Sequence, residues 1–263
     1  MTDAPTARRV AVETADGVTR IALDSPHNRN ALSDQLVREL RDALAAAESD
    51  PSVRAVVLTH TGGTFCAGAD LTEASSRPVG DPARERAVQL IDLLHAIMAL
   101  GKPVIGSIDG HVRAGGMGLV AACDIVVAGP RSTFALTESR LGLAASVISL
   151  TVLPRLANRA ATELFLTGDI LAAGRAAEIG LVSRAVDASD DVDAAVAEFV
   201  TSFAACSPQG LRESKSLVNH HTLAGFAADR DRLADQSSRL FASEEAREGM
   251  TAFRERRRPR WAT

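Results

Sequence analysis

The chain has 263 residues, 46% of them hydrophobic and 24% charged, the balance of a globular protein able to bury a sizeable core. A formal net charge of −4 excludes a general electrostatic pull toward nucleic acid or an anionic membrane surface, so any anion has to be met locally. Cys66, Cys123 and Cys206 lie far apart without a CxxC pair, which excludes a disulfide framework and a thiolate zinc site and fits a reducing cytoplasm.

The opening segment has no apolar h-region, and the longest uncharged stretch, Leu141 to Pro154, is shorter than the ~20 residues of a membrane helix. The chain is therefore expected to be cytoplasmic, neither exported nor membrane-spanning. Two β-rich runs come first, Arg9 to Glu13 and Val18 to Leu23, with Asp16-Gly17 between them as a hairpin turn. Ser33 caps a predicted helix over Asp34 to Ser49, in which Leu36, Val37, Leu40 and Leu44 share one face.

The apolar run Ala55 to Thr59 predicts a buried strand, His60 to Phe65 a loop, and Cys66-Ala67-Gly68-Ala69-Asp70-Leu71 the opening of a helix. Ser75 to Pro82 reads as a loop, and Ala83 to Leu100 as a helix ended by Gly101 with Pro103 just beyond. The strand Val104 to Ile108 follows. The pattern then recurs: a loop over Asp109 to Arg113, and Ala114-Gly115-Gly116-Met117-Gly118-Leu119 opening an apolar helix toward Cys123.

Strands alternating with helices predict an α/β core over 1–189 and a helical region over 190–263. The latter reads as helices at Asp190 to Ala205, Pro208 to Asn219, Leu223 to Phe241 and Glu244 to Arg256.

The two glycine motifs carry the chemistry. The first turn of a helix has N–H groups without internal partners and a partial positive charge, and glycine lets a ligand come close to them. Two such turns suit a thioester carbonyl: moving a proton beside it builds negative charge on oxygen, which preorganised N–H donors stabilise by several kcal/mol.

Taken together, FCAGADL at Phe65 to Leu71, PVIGSIDG at Pro103 to Gly110 and AGGMGLVAACDIVVA at Ala114 to Ala128 resemble the crotonase family, also called the enoyl-CoA hydratase/isomerase family. Further matching stretches are NRNALS from Asn28, FALTESRLGL from Phe134, LTGDIL from Leu166 and AAEIGLVSRAV from Ala176, so the likeness runs from about Val10 to Trp261. It implies a spiral of ββα repeats, a C-terminal helical trimerisation region, trimers commonly paired into hexamers, and an acyl-CoA substrate that brings its own CoA, with no separate cofactor, metal, nucleic acid or membrane partner.

On this likeness the oxyanion donors are the backbone N–H groups of Ala69 and Gly115, with Ala67, Gly68, Asp70, Leu71 and Gly116 around them. Asp70 is expected to support the site as a helix-start cap. Hydratases of the family use two glutamates. One falls here on Gly118, and the other is Glu138, flanked by the apolar Leu136 and Leu141. Arg29, Asn30 and Ala31 match the segment that meets the CoA adenine and a phosphate, and Phe253 and Arg256 lie in the terminal helix that approaches the nucleotide.

A single glutamate at Glu138 leaves several chemistries open. Acting as acid and base in turn, it serves hydration of a 2-enoyl-CoA; it equally suits isomerisation of a 3-enoyl-CoA, or a site that binds or hydrolyses acyl-CoA. The run GGMGLVAACD followed by LGLAASVISLTVLP is similar to hydratases of the methylglutaconyl-CoA type, which favours hydration. Gly116, Gly118 and Ala121 also fit GxGxxA with Glu138 following, as in dinucleotide-binding folds, but there the first glycine follows its strand directly, whereas here a loop intervenes. His111 and Cys66 are expected to be structural, Cys66 for want of a base to activate it.

Overall fold

A computed structural model describes residues 8–70 and 81–262. Strand β1 (Val10–Ala15) pairs antiparallel with β2 (Val18–Leu23), Val10 opposite Leu23 and Ala15 opposite Val18. Asp16 and Gly17 hold φ of 52° and 76°, the left-handed pair that a two-residue hairpin turn needs to match the strand twist. Helix α1 (Asp34–Ser49) starts as expected at Ser33, whose Oγ accepts from the Leu36 N–H at 3.2 Å.

Strands β3 (Ala55–His60), β5 (Val104–Ile108), β7 (Ile125–Ala128) and β10 (Arg184–Ala185) add to β2 in parallel, giving a sheet ordered β1-β2-β3-β5-β7-β10. A second sheet runs β4 (Thr64–Cys66), β6 (His111–Arg113), β8 (Thr133–Ala135) and β9 (Leu171–Ala172), parallel except for its last pair. The chain thus lays one strand in the large sheet and the next in the small one, three times over: β3 then β4, β5 then β6, β7 then β8. That is the expected mixed α/β spiral. The segments predicted as loops at 60–65 and 109–113 contain β4 and β6, three-residue strands too short for any hydrophobic alternation to mark them.

Helices α2 (Pro82–Ala99), α3 (Gly115–Ala122), α4 (Ser149–Val152), α5 (Asn158–Thr167) and α6 (Ala173–Glu178) follow, then α7 (Asp191–Ala204), α8 (Pro208–Phe241) and α9 (Glu244–Arg254). The break expected between Asn219 and Leu223 is absent. His220-His221-Thr222 contains neither glycine nor proline, and α8 runs through it, burying Phe226, Leu233 and Ala234 in the main core. The helix predicted to open at the first glycine motif, and most of the loop at 75–82, lie outside the described residues.

The large sheet is buried on both faces. Val56, Leu58, Val104 and Ile108 point toward α1, α2 and α3, while Val57, Ile105 and Val127 point the other way onto Val192, Ala195 and Val196 of α7. A polar knot ties α8 to this core. Lys215 Nζ donates to the Ile97 and Lys102 carbonyls, both at 3.0 Å, and lies 2.8 Å from Asp124 Oδ2, which also accepts from the Val104 N–H at 2.7 Å. Asn219 Nδ2 donates to the Met98 carbonyl at 3.2 Å and to Asp124 Oδ1 at 3.4 Å. Among the described residues no helix is long and apolar enough to cross a membrane.

Candidate active site

Three neighbouring parallel strands of the small sheet deliver the three predicted groups. Cys66 of β4 pairs with Val112 of β6, and Arg113 of β6 with Ala135 of β8. Ala69, Gly115 and Glu138 each follow two or three residues beyond these paired positions, at the carboxyl ends of the strands, where open α/β sheets place their ligands.

The first donor hangs on the segment 29–32. The Ala67 N–H donates to the Arg29 carbonyl at 3.1 Å, the Leu32 N–H donates to the Gly68 carbonyl at 2.7 Å, and Leu32 forms a parallel bridge with Ala69. Asn30 fixes that segment: buried at φ 53°, its Oδ1 accepts from the Ser25 N–H at 2.6 Å and its Nδ2 donates to the carbonyls of Thr61 and Thr64. Sequence reasoning missed this anchoring role. The available signal was an asparagine between two further loop residues, since asparagine tolerates left-handed backbone better than most side chains.

The second donor sits on α3, all of whose residues are buried. The two motifs press together at backbone distance. A Cβ on Gly68, which has φ +90°, would lie 2.6 Å from Ala114 Cβ and 3.4 Å from the Gly115 nitrogen; one on Gly116 would lie 2.8 Å from the Cys66 carbonyl oxygen. Ala114, just before the helix, is held at φ 47° and ψ −121°, a conformation rare for a residue with a Cβ. Among the described residues, neither the Ala69 nor the Gly115 N–H donates to another group. Two unengaged donors therefore stand side by side.

Glu138 begins a 3-10 turn, Glu138–Leu141. The residue as a whole is partly exposed, but its Oε2 is fully buried and has no hydrogen-bond partner. Burial pushes the carboxyl up to about 7, against a smaller opposing effect from its own backbone N–H. A carboxyl with that affinity holds and releases a proton near neutrality, as an acid/base group must.

Gly118 lies one turn along α3 from Gly115. A Cβ there would be 2.6 Å from Ile148 Cγ2 and 3.2 Å from Leu94 Cδ1, so hydrocarbon from the chain itself fills the place of a second acidic side chain. Cys66 is buried and pushed up to about 12, far from forming a thiolate. His111 is exposed, its Nδ1 2.8 Å from Thr133 Oγ1. Asp70 Oδ2 accepts from Asn28 Nδ2 at 3.0 Å, and Asn28 Oδ1 is buried without a partner. Leu71 lies outside the described residues. Arg29, at φ 58°, is exposed and Ala31 buried; Phe253 and Arg256 are exposed at the end of α9, and no hydrogen bond among the described residues joins them to the Arg29 segment.

Residues 13–263 match the family model described as enoyl-CoA hydratase/isomerase, and the chain belongs to that family, the crotonases. Among solved structures, an enoyl-CoA hydratase from Mycobacterium avium is 52% identical with a TM-score of 0.90, over 98% of this chain and 100% of that one. Mevalonyl-coenzyme A hydratase sidH of Aspergillus fumigatus is 32% identical over 92% of this chain and 90% of its own length. The 4-chlorobenzoyl coenzyme A dehalogenase-1 of an Arthrobacter species is 37% identical over 69% of this chain and 67% of its own length. By their names these relatives act on different CoA thioesters, and not all by hydration. Family membership supports hydratase-type chemistry on acyl-CoA and leaves substrate and catalytic residues to the site.

Proposed function

We propose that the protein hydrates a 2-enoyl-CoA thioester. The thioester oxygen sits between the Ala69 and Gly115 N–H groups. The Glu138 carboxylate takes a proton from water as its oxygen bonds to the β carbon, the double-bond electrons move onto the thioester oxygen as an enolate, and the α carbon takes the proton back from Glu138. The product is a 3-hydroxyacyl-CoA. The carrying observation is the buried, unpartnered Oε2 of Glu138, which follows the end of β8, next to the β6 end that leads to Gly115 and two strands from the β4 end that leads to Ala69. Arg29 and Ala31, with Phe253 and Arg256, are proposed to hold the CoA nucleotide, in a homotrimer or a pair of trimers.

One observation favours a second reading. Ile148 and Leu94 close the space at Gly118, so no second proton-handling side chain stands there, and Glu138 alone suffices to move a proton from the α to the γ carbon in isomerisation. Incubation with 2-enoyl- and 3-enoyl-CoA panels in deuterated water separates the two by product mass and label position. Hydration of the 2-enoyl panel is expected, reduced about 10²–10⁴-fold in Glu138→Gln with thioester binding retained. Turnover of the 3-enoyl panel alone establishes the isomerase, binding without turnover a non-catalytic acyl-CoA binder, and release of free CoA a hydrolase. A Glu138→Gln variant as active as wild type sinks the assignment of Glu138.

A further inference from the structure

The terminal helix α9 packs within the same chain against the turn that carries Glu138, and the contact is between backbones. Gly142, the left-handed residue that ends the turn, has no room for a side chain: a Cβ there would lie 2.6 Å from the Glu245 carbonyl carbon and 2.8 Å from the Ala246 nitrogen. From the other side, a Cβ on Gly249 would meet the Leu141 carbonyl group, 2.5 Å from its carbon and 2.7 Å from Leu141 Cα. Ala246, Gly249 and Ala252 form the buried face of α9, and their smallness is what lets the helix axis come this close.

The helix is also strapped by the tail that follows it, through Glu248, whose side chain is 9% exposed. Glu248 receives Arg257 through two bonds, Nη1 to Oε1 at 2.7 Å and Nη2 to Oε2 at 3.0 Å, and accepts the Arg260 N–H at 2.9 Å, folding the tail back along α9. An eleven-residue helix is marginal by itself, so both the small-residue face and the strap contribute to holding it. Among the described residues, no charge on the elements packed against the turn offsets the burial of Glu138: Glu248 of α9 is taken up by Arg257 and Arg260. Arg140 turns away to the Thr167 carbonyl and Asp169; on α9, Glu244, Glu245 and Arg247 are exposed, as are Arg159 and Glu163 on α5.

We infer that α9 is a positioning element for Glu138, with Gly249 as its contact residue: the helix presses the turn inward, sets the carboxyl against the oxyanion donors and keeps water off it. The inference rests on the acid/base role given to Glu138 above. Gly249 has ordinary helical backbone, and alanine is the better helix former, so Gly249→Ala strains nothing within α9 and acts only by pushing Leu141 away.

The readout is the pH dependence of kcat/KM on the substrate that the panel experiment identifies. In wild type the limb that reports Glu138 is expected with its midpoint near 7. In Gly249→Ala the midpoint should fall toward the ordinary glutamate value as water reaches the carboxyl, with kcat down about tenfold or more. Glu248→Ala, which adds no atom and only releases the strap, should move the midpoint the same way by less, and covers the case in which Gly249→Ala fails to fold. Gly225→Ala, in α8 with no neighbour within 4 Å of the new Cβ, should leave both quantities unchanged. A wild-type midpoint in both Gly249→Ala and Glu248→Ala overturns the inference, whether or not kcat falls. If instead Glu138→Gln retains full turnover, it is the role of Glu138 that fails, whatever Gly249→Ala does.

Discussion

Two partly buried carboxylates of this protein are held in opposite ways. Asp124 is saturated: Lys215, Asn219 and the Val104 N–H between them occupy both of its oxygens, and the Lys215 side chain is only 6% exposed. Glu138 keeps Oε2 buried with nothing to bond. A folded chain usually pairs its buried polar atoms, because an unmade bond costs about 1–3 kcal/mol, so an orphaned oxygen marks a place where stability has been given up. Asp124 therefore reads as architecture and Glu138 as chemistry.

The largest expected effect tests the first half of that contrast. Lys215→Met leaves Asp124 buried without its cation and should lower stability by about 3–5 kcal/mol, read as a fall in the urea midpoint at unchanged slope. Adding Asp124→Asn to it should recover much of the loss. A cost under about 1 kcal/mol would remove Asp124 from the architecture.

Glu138 should behave in the reverse sense. Its folded-state value of about 7 lies above the ordinary 4.5, so between those values the folded chain binds the proton more tightly than the unfolded one. Stability then falls as pH rises through that window, and a penalty of about 3 kcal/mol is complete above it. Glu138→Gln carries no such penalty. It should be more stable than wild type by up to about 3 kcal/mol near pH 8 and no more stable once the pH is below about 4.5, by urea unfolding at both. Equal stabilities at both pH values would mean that the carboxyl is not desolvated, and the contrast with Asp124 would collapse.

The smallest effect sharpens the ranking within the knot. Asn219→Leu removes one bond to Asp124 and one to the Met98 carbonyl but leaves the cation in place, so it should cost about 1–2 kcal/mol, well short of Lys215→Met. A larger loss than Lys215→Met would make the amide rather than the ion pair the centre of the knot.

Much of this could be read along the chain, because the signals were local. Asp16-Gly17, Ser33 and the face of Leu36, Leu40 and Leu44 each declare their element within a few residues, and the glycine motifs declare their close approach. Glu138 was found through the stretch around it. What could not be read depends on partners distant in sequence. Strands β4 and β6 exist only because each pairs with the next turn of the spiral. Asp124 meets Lys215 from the far C-terminal region, Ile148 fills the space at Gly118, and the burial that shifts Glu138 comes from packing that no window of sequence contains. The continuity of α8 was misread for a different reason: its exposed polar middle looks like a junction, and a long helix packed along α2 needs no apolar residue there.

The proposed oxyanion donors are main-chain groups, and that changes how mutation reaches them. Every amino acid except proline supplies the same N–H, so point mutations rewrite Glu138 or Ile148 far more readily than they delete a donor. Alanine and proline codons differ by one base, whereas glycine and proline codons differ by two. A single nucleotide change can therefore silence the donor at Ala69 but not the one at Gly115, and a lineage that keeps both retains its hold on the thioester while selection revises the reaction carried out on it.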